Sequence, residues 1–421
     1  MMAEIISVVV FLIVMAAIVT EKVHRAIAAI AGAVVLMLTH VLTFDEALEH
    51  VDFNTLGVLL GMMLFVGAVK NSGLFEYVAI KATKIARGDP WRILVAFMII
   101  TALFSAMLDN VTTVLLIAPM TLTITRILQV NPIPFLFTQI LASNIGGTST
   151  LIGDPPNIMI GSAAGLDFMD FILNEGPVVV VILIVVIFIM KLVYGKGLMV
   201  DEESMRQVMM LDEQKAIKSK PLMKKSIVMI IVVAAGFVLH GNLGVESGVV
   251  ALTCAAVLII IGGQDAEDVI ADVEWPTIIF FLGLFIVVGG MVETGFIGRI
   301  ADLLIENTTG HPVITMLVLL WASAILSAVL DNIPFVATLI PLVIAMGESG
   351  IDVAPLWWAI SLGACLGGNG TLIGASANVV VASISAKNGY PITFKAFFRV
   401  GFPVMIVTIA IATVYVLLRY A

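Results

Sequence analysis

Residues 146–157 read GGTSTLIGDPPN, and residues 367–378 repeat the pattern as GGNGTLIGASAN. Both segments lie inside long apolar stretches, 135–165 and 354–386, where an uninterrupted membrane helix would otherwise be expected. Glycine clusters and a proline pair leave backbone polar groups unpaired, which is tolerated at membrane depth only where protein or a cavity surrounds them. We therefore predict that both stretches are discontinuous spanning helices.

The composition of the whole chain requires a membrane. Of its 421 residues, 61% are hydrophobic and 12% are charged, whereas soluble domains have roughly 45–50% apolar and about 25% charged residues. The mean hydropathy is +1.14. These values exclude a set of soluble domains and predict a polytopic protein whose main partner is the lipid bilayer. The net charge of −9 gives no sign of nucleic-acid binding.

Two further apolar stretches, 92–127 and 312–347, are interrupted by the pairs Asp109-Asn110 and Asp331-Asn332. A charge in mid-membrane is costly, so we predict re-entrant hairpins whose polar tips lie near the membrane midplane. Each remaining span needs about 20 mostly apolar residues. These spans are predicted at 4–20, 26–41, 55–71, 177–195, 226–241, 246–262, 276–292 and 399–419.

The lysines and arginines orient the chain in the cytoplasmic membrane. With hairpins that return to their own side, all basic residues except Arg299 and Arg419 fall on one side, which the positive-inside rule makes cytoplasmic. Both termini are then predicted outside. The polar segment 196–224 is predicted to be a cytoplasmic linker between a first repeat, 1–195, and a second repeat, 225–421. For residues 74–87, a helix on the inner membrane surface and a loop both stay open.

The two halves form an internal repeat. A shift of 222 residues, from 109 to 331, aligns Ser105, Asp109, Asn110 and Pro119 with Ser327, Asp331, Asn332 and Pro341. Each half has an odd number of spans, so the second half enters the membrane upside down. We therefore predict an all-α polytopic membrane protein made of two inverted repeats of five transmembrane helices, each with a re-entrant hairpin and a discontinuous helix. This design is typical of secondary transporters whose site lies at the midplane.

Polar residues at the breaks are the candidate ligands of such a site. Unwound carbonyls and hard side-chain oxygens suit Na⁺ or H⁺ rather than a soft transition metal. One candidate cluster comprises Asn110, Asn144, Thr148, Ser149, Thr150 and Asn157, and its mirror comprises Asn332, Asn369, Thr371 and Asn378. Sodium ligands are predicted at Asn110, Asp154 and Asn332. Apart from the coupling ion, no cofactor is expected.

Three carboxylates, Asp109, Asp154 and Asp331, are expected deep in the protein, where ionisable groups are functional by default. For Asp109 and Asp331, ion binding and a structural role at half-helix N-termini both stay open. Asp154 differs because its repeat partner is Ala375, so only one half carries this charge. We predict that Asp154 binds the cation or the proton.

Two smaller side chains recur near the breaks. Ser105 and Ser327 precede the hairpin tips and are predicted to bond back to the preceding turn in a packing role, with a ligand role as the alternative. Cys365 aligns with Asn144 and is either a small buried residue or a contact for a soft substrate such as trivalent arsenic. The chain has one other cysteine, Cys254, so no disulfide framework or CxxC metal site is expected.

The strings DNVTT at 109–113, GGTSTLIGDPPN at 146–157 and DNIPF at 331–335 resemble those of the ion transporter superfamily. Within it the chain is similar to the group of ArsB-type arsenite permeases, NhaD-type Na⁺/H⁺ antiporters and the melanosomal P protein, which share a citrate-transporter-like domain. The string IGDPPN most resembles the P-protein branch. The resemblance implies a homodimer in which a scaffold holds an elevator-type transport domain built from the hairpins and the broken helices.

The resemblance is specific for the superfamily rather than for a substrate. Dicarboxylate and citrate relatives carry Ser-Asn-Thr at the hairpin tips, where this chain has Asp-Asn, and the extra aspartates disfavour a carboxylate substrate. We predict a secondary active transporter, coupled to Na⁺ or H⁺, that performs Na⁺/H⁺ antiport or moves arsenite or another small ion or solute. A passive ion channel on the same scaffold is the alternative. An enzyme is not expected, because no Ser–His or Asp–Asp pair has nucleophile–base spacing.

Overall fold

The computed structural model describes residues 2–20, 22–195, 197–198, 200–308 and 311–421. Every regular element in those residues is a helix. The first half comprises α1 (Met2–Thr20), α2 (Arg25–Leu38), α3 (Phe44–Glu49), α4 (Phe53–Lys70), α5 (Leu74–Ile85), α6 (Pro90–Met107), α7 (Asn110–Ile127), α8 (Ile133–Thr148), α9 (Pro155–Ala164), α10 (Phe168–Asn174) and α11 (Gly176–Tyr194). A short helix, α12 (Glu202–Met209), and a 3₁₀ turn (Glu213–Ala216) follow.

The second half repeats this order except that it has no described counterpart of α10. It comprises α13 (Lys220–Leu243), α14 (Ser247–Gly262), α15 (Ala266–Ala271), α16 (Trp275–Glu293), α17 (Phe296–Thr308), α18 (Pro312–Val329), α19 (Asn332–Glu348), α20 (Ala354–Gly367), α21 (Ser376–Lys387) and α22 (Phe394–Tyr420). Eight of the described helices are long and apolar enough to cross a membrane: α4, α6, α7, α11, α13, α16, α18 and α22. The chain is therefore a multi-pass membrane protein.

The halves interlock through reciprocal contacts. Helix α4 packs against α14, and the equivalent pair, α16 and α2, packs in the same way. Both contacts require glycine, because a Cβ on Gly61 would lie 2.6 Å from the backbone of Ala251, and one on Gly283 would lie 2.6 Å from that of Ala29. Helix α7 contacts α21 and α19 contacts α9, again as equivalent pairs. The predicted inverted-repeat fold is confirmed.

An aspartate turns the chain at each hairpin tip. Helix α6 ends at Met107, and the Asp109 carboxylate caps α7 by accepting from the Thr112 N–H at 2.7 Å. Helix α18 ends at Val329, and Asp331 caps α19 by accepting from the Ile333 N–H at 3.1 Å. Each acid thus satisfies N–H groups that the start of a helix leaves free, which is why the helix breaks at that point.

Both predicted discontinuous helices are also present. The first consists of α8 and α9, separated at residues 149–154, and the second consists of α20 and α21, separated at 368–375. Glycines let their first halves approach the hairpins closely. A Cβ on Gly146 would lie 2.2 Å from the carbonyl oxygen of Ala102, and one on Gly367 would lie 2.5 Å from that of Ala324.

We expect Gly146→Ala to destabilise the protein by about 3 kcal/mol, because the added methyl group meets the rigid backbone of α6. Thermal unfolding in detergent, followed by size-exclusion chromatography, measures the loss. Gly298→Ala is the matched control, since a Cβ on that helical glycine meets nothing within 4 Å. Its unfolding temperature should stay equal or rise slightly. Equal stability of the two variants would contradict the packing argument.

The polar segment between the halves packs onto the first half. In its described part, α12 contacts α5 and α7, and the 3₁₀ turn contacts α5. Of the two alternatives for residues 74–87, the structure shows the helix. Lys84 donates to Glu213 at 2.6 Å, and this bond lowers the pKa of Glu213 below its ordinary value. The Lys218 N–H donates to the Ser72 carbonyl at 3.1 Å. Helix α13 begins at Lys220, inside the segment predicted as linker.

Candidate transport site

A small polar cavity lies where the two hairpin tips meet the first broken helix. The N-terminal ends of α2 and α16 close it from the side. Its volume of about 20 Å³ is enough for about one water molecule. The polar residues that line it are Arg25, Asp109, Asn110, Asp154, Glu274, Thr277, Asn332 and Ser376. The predicted sodium ligands Asn110, Asp154 and Asn332 therefore share one cavity.

Asp154 joins the first half to the second. It is 1% exposed and lies at the start of α9, where its side chain makes no capping bond. The Asn332 side-chain amide donates to both carboxylate oxygens, at 3.2 and 3.3 Å. A broken helix of one repeat is thus tied to the hairpin tip of the other. The charged side chain is held at the cavity rather than used to cap its own helix.

The charges at the cavity are unbalanced. Asp109, Asp154 and Glu274 line it, and Arg25 is the one basic residue among its described lining residues. Arg25 is committed elsewhere, because it pairs with Asp331 at 3.3 Å. Asp109 also bonds the Thr112 hydroxyl. The cavity is therefore strongly acidic, which attracts a cation or a proton and repels an anion.

Arg25 connects the start of α2 to the second hairpin tip and the second broken helix. Its guanidinium donates to Ser376 at 2.6 Å and to Thr277 at 3.1 Å, and it lies over the Phe280 ring at 5.3 Å. A larger recess of about 290 Å³, lined by His24, Arg25 and Asp331 among others, adjoins this bridge. Arg25 and Ser376 line both spaces, so the bridge stands between the recess and the cavity.

Buried asparagines form a network behind the cavity. Asn144 is fully buried and donates to the side-chain oxygens of Asn369 and Asn378, both at 3.0 Å. It accepts from Asn110 at 3.1 Å. Asn144 therefore links both broken helices to the first hairpin tip. The amide nitrogen of Asn369 is buried and has no hydrogen-bond partner.

Asn157 and Asn378 hold the two breaks open. Asn157 donates to the carbonyls of Thr148 and Thr150 at 3.1 and 3.0 Å. Asn378 donates to the carbonyls of Gly368 and Thr371 at 2.8 and 2.9 Å. These carbonyls have no partner along a helix, so the two side-chain amides satisfy backbone that lipid could not.

The predicted hydroxyl ligands are placed against backbone rather than in the cavity. Each donates to a carbonyl oxygen: Thr148 to Asn144 at 2.7 Å, Ser149 to Gly146 at 2.6 Å, Thr150 to Ala106 at 2.6 Å and Thr371 to Ala328 at 2.5 Å. The bonds from Thr150 and Thr371 are equivalent and tie each break to its hairpin. In this conformation the four hydroxyls therefore hold the turns.

The serines before the hairpin tips pack against neighbouring helices, but the bond that was predicted to their own preceding turns was wrong. Ser105 donates to the Ser143 carbonyl of α8, and Ser327 donates to the Ala364 carbonyl of α20, both at 2.6 Å. The close packing that glycine allows brings these neighbouring carbonyls within reach. Cys365 is fully buried, and its thiol donates to Asn157 at 3.3 Å.

Several polar residues around the site were not predicted. Arg25 and Glu274 lie at helix starts and were treated as loop residues, although Glu274 aligns with Asp52 in the repeat and this match was a usable signal. Ser376 lies in the repeated motif itself. Glu175 precedes the apolar helix α11, and Ser361 lies within the apolar helix α20. Both are fully buried, and neither has a matching polar residue in the other repeat that would have marked it.

Two interlocked repeats, each with a hairpin and a broken helix around a buried polar cavity, define a membrane transporter. The citrate transporter family model matches residues 15–363, and the chain belongs to that family. Uncharacterized transporter Rv2684 of Mycobacterium tuberculosis is 42% identical over 426 residues and 99% of each chain. The 46 kDa membrane protein of Mycobacterium leprae is 39% identical over 424 residues and 99% of each chain.

More distant similarity extends to an animal protein and a solved structure. The P protein of Homo sapiens is 30% identical over 490 residues, which cover 96% of this chain and 58% of that protein. The resemblance to the P-protein group is thereby confirmed. The YdaH transporter of Alcanivorax borkumensis has the same fold, with a TM-score of 0.58, 15% identity and coverage of 86% of this chain and 85% of its own.

Proposed function

We propose that the protein is a secondary active transporter that exchanges Na⁺ for H⁺ across the cytoplasmic membrane. The central cavity carries this proposal. Three carboxylates, Asp109, Asp154 and Glu274, line a space for one water-sized sphere with a single arginine. Such an acidic, oxygen-lined and nearly closed site favours a small hard cation or a proton over an anion.

Asp154 supplies the exchange in this proposal. Its carboxylate takes either Na⁺ or a proton, so the two cations compete for one site. Asn110 and Asn332 line the same cavity and add amide groups beside the carboxylate. With a cation bound, the Asp154 carboxylate is neutralised and the site can move, whereas an empty buried carboxylate costs several kcal/mol and resists movement. This difference couples the inward flux of one cation to the outward flux of the other.

The movement that we propose is of the elevator type, within a homodimer. The scaffold consists of the glycine-packed pairs α4 with α14 and α2 with α16. The hairpins and broken helices form the moving part, which the network around Asn144 holds together. Arg25 lines the recess, and the order of the spans places it on the side of the membrane that holds most of the basic residues. With that side cytoplasmic, the termini are outside, residues 196–224 are inside, and this conformation faces inward.

Other substrates receive less support. A dicarboxylate or tricarboxylate does not fit a cavity of about 20 Å³ and meets three acidic side chains there. Trivalent arsenic prefers thiolates, yet Cys365 bonds Asn157 and is not part of the cavity lining. A passive channel requires a continuous wet path, whereas the Arg25 bridge separates the recess from the cavity.

Reconstitution into proteoliposomes tests the proposal. With a pH-sensitive dye inside and the membrane potential clamped at zero, an inward Na⁺ gradient should make the interior alkaline. Internal unlabelled Na⁺ should also accelerate uptake of radioactive Na⁺, which is the counter-flow expected of a carrier. Liposomes without protein and an inward choline gradient are the controls.

Two results would contradict the proposed function. Sodium flux without counter-flow or proton movement would identify a passive channel. If Na⁺ and Li⁺ gradients cause no pH change, and arsenite or citrate shows saturable uptake under the same conditions, the protein transports another substrate.

A further inference from the structure

Glu175 is a buried acid that the proposed exchange at Asp154 leaves unused. It lies between α10 and α11 and is fully buried. Neither carboxylate oxygen has a hydrogen-bond partner, and the side chain does not cap α11. Helix α22, the counterpart of α11 in the second repeat, contains no acidic residue. Glu175 is therefore an asymmetric feature, as Asp154 is.

Burial without partners restricts the charge that Glu175 can carry. An ionised carboxylate with no hydrogen bond in an apolar environment costs several kcal/mol, whereas the protonated acid is far cheaper to bury. A structural role would require a bond or an ion pair that holds another element in place. The two unpartnered oxygens give no such bond.

A short set of buried polar groups separates Glu175 from Asp154. Phe171, one turn before Glu175, packs edge-on against Trp358 of α20 with 5.2 Å between the ring centroids, and Ser361 follows one turn after Trp358. The Ser361 hydroxyl donates to the Asn157 oxygen at 2.7 Å, and the Cys365 thiol donates to the same oxygen at 3.3 Å. Ser361 and Cys365 are one turn apart on α20, and Asn157 is one turn beyond Asp154 on α9.

The titratable groups that interact electrostatically with Glu175 come from three elements. They are Asp154 at the start of α9, Cys365 on α20 and Tyr420 on α22. Tyr420 donates to the side chain of Asn174 at 2.7 Å, and the positive charge of Arg419 interacts electrostatically with Tyr420. Asp154 is the acid among them whose charge acts on Glu175, and two ionised acids in an apolar interior repel each other. A proton on one therefore favours the charged or Na⁺-bound form of the other.

We propose that Glu175 is a second proton-binding site of the transporter, which exchanges its proton with Asp154 as Na⁺ enters or leaves. In this step one proton leaves the Glu175 carboxyl group and binds the Asp154 carboxylate, so the total charge of the pair is unchanged. Glu175 regains a proton from water on the side to which Asp154 is then open, so that Na⁺ and the proton exchange on the same side of the membrane. This inference rests on the proposed Na⁺/H⁺ exchange and adds a residue on the proton's route.

Two exchange modes measured on Glu175→Gln test the inference. Glutamine has the shape of the protonated acid but cannot release a proton. We expect Na⁺/Na⁺ exchange, which needs no proton, to stay within twofold of the unmodified protein. Na⁺-driven proton flux should fall at least tenfold. Glu246→Gln, at an exposed glutamate outside the site, should change neither rate.

The outcomes separate this inference from the function beneath it. Absence of both exchange modes in the unmodified protein would refute the Na⁺/H⁺ function. Exchange in the unmodified protein with an unchanged proton flux in Glu175→Gln would refute the role of Glu175 alone, as would an equal loss of both modes in a folded variant. If Glu175→Gln does not fold, infrared difference spectra with and without Na⁺ are recorded for the unmodified protein and for Glu175→Asp. The inference predicts a carboxylic-acid band that changes with Na⁺ and shifts in the variant. A carboxylic-acid band that does not change on addition of Na⁺ would also overturn the inference.

Discussion

Asp154→Asn is expected to reduce Na⁺-driven proton flux to the level of liposomes without protein. The substitution keeps the volume of the side chain and one oxygen that can accept from Asn332, so the link between the two repeats should survive. It removes the charge for which Na⁺ and H⁺ compete. Because Ala375 occupies the equivalent place in the second repeat, no other residue at that position replaces the lost carboxylate.

Folding and function are measured separately for this variant. Size-exclusion profiles and thermal unfolding in detergent should match those of the unmodified protein. Asp268→Asn, at an exposed aspartate of α15, is the matched control and should keep full exchange. Wild-type proton flux in Asp154→Asn would refute the role of Asp154 and remove the basis of the proposed exchange.

Asn144→Ala is expected to destabilise the protein by at least about 3 kcal/mol. Three side-chain bonds are lost, to Asn110, Asn369 and Asn378. Each neutral hydrogen bond contributes about 1 kcal/mol, and each buried partner that is left unpaired adds a penalty. Since these bonds join the first hairpin to both broken helices, the variant should also lose transport at temperatures where the unmodified protein is active.

Thermal unfolding in detergent measures this effect. Asn242→Ala, at an exposed asparagine near the end of α13, is the control and should change the unfolding temperature little. An unfolding temperature for Asn144→Ala equal to that of the control would show that the network does not hold the transport elements together.

The repeated motifs made the breaks predictable. Glycine clusters at Gly146 and Gly367 and the Asp-Asn pairs after 108 and 330 interrupt apolar stretches that would otherwise be continuous. Few backbone arrangements satisfy such interruptions inside a membrane. The predicted helix breaks and hairpins therefore agree with the structure closely, and the three predicted sodium ligands, Asn110, Asp154 and Asn332, meet in one cavity together with Asp109.

The composition of the site was less predictable, because it depends on which helix ends approach one another. Arg25 was assigned to a cytoplasmic loop, yet its side chain reaches Asp331, 306 residues away along the chain. Glu175 directly precedes an apolar span, and only tertiary packing shows that it is buried. Hydroxyls such as that of Thr150 were assigned to the ion, but the broken backbone nearby offers them closer acceptors.

The Arg25–Asp331 contact has no counterpart in the other repeat, since residue 247, at the position equivalent to 25, is serine. If the moving part crosses to the opposite face, Asp109 meets a hydroxyl where Asp331 now meets a guanidinium. A partly exposed ion pair contributes up to about 1 kcal/mol. The inward-facing and outward-facing conformations without bound ion should therefore differ in population by roughly fivefold. The inward-facing conformation, which has the ion pair, should be the more populated one.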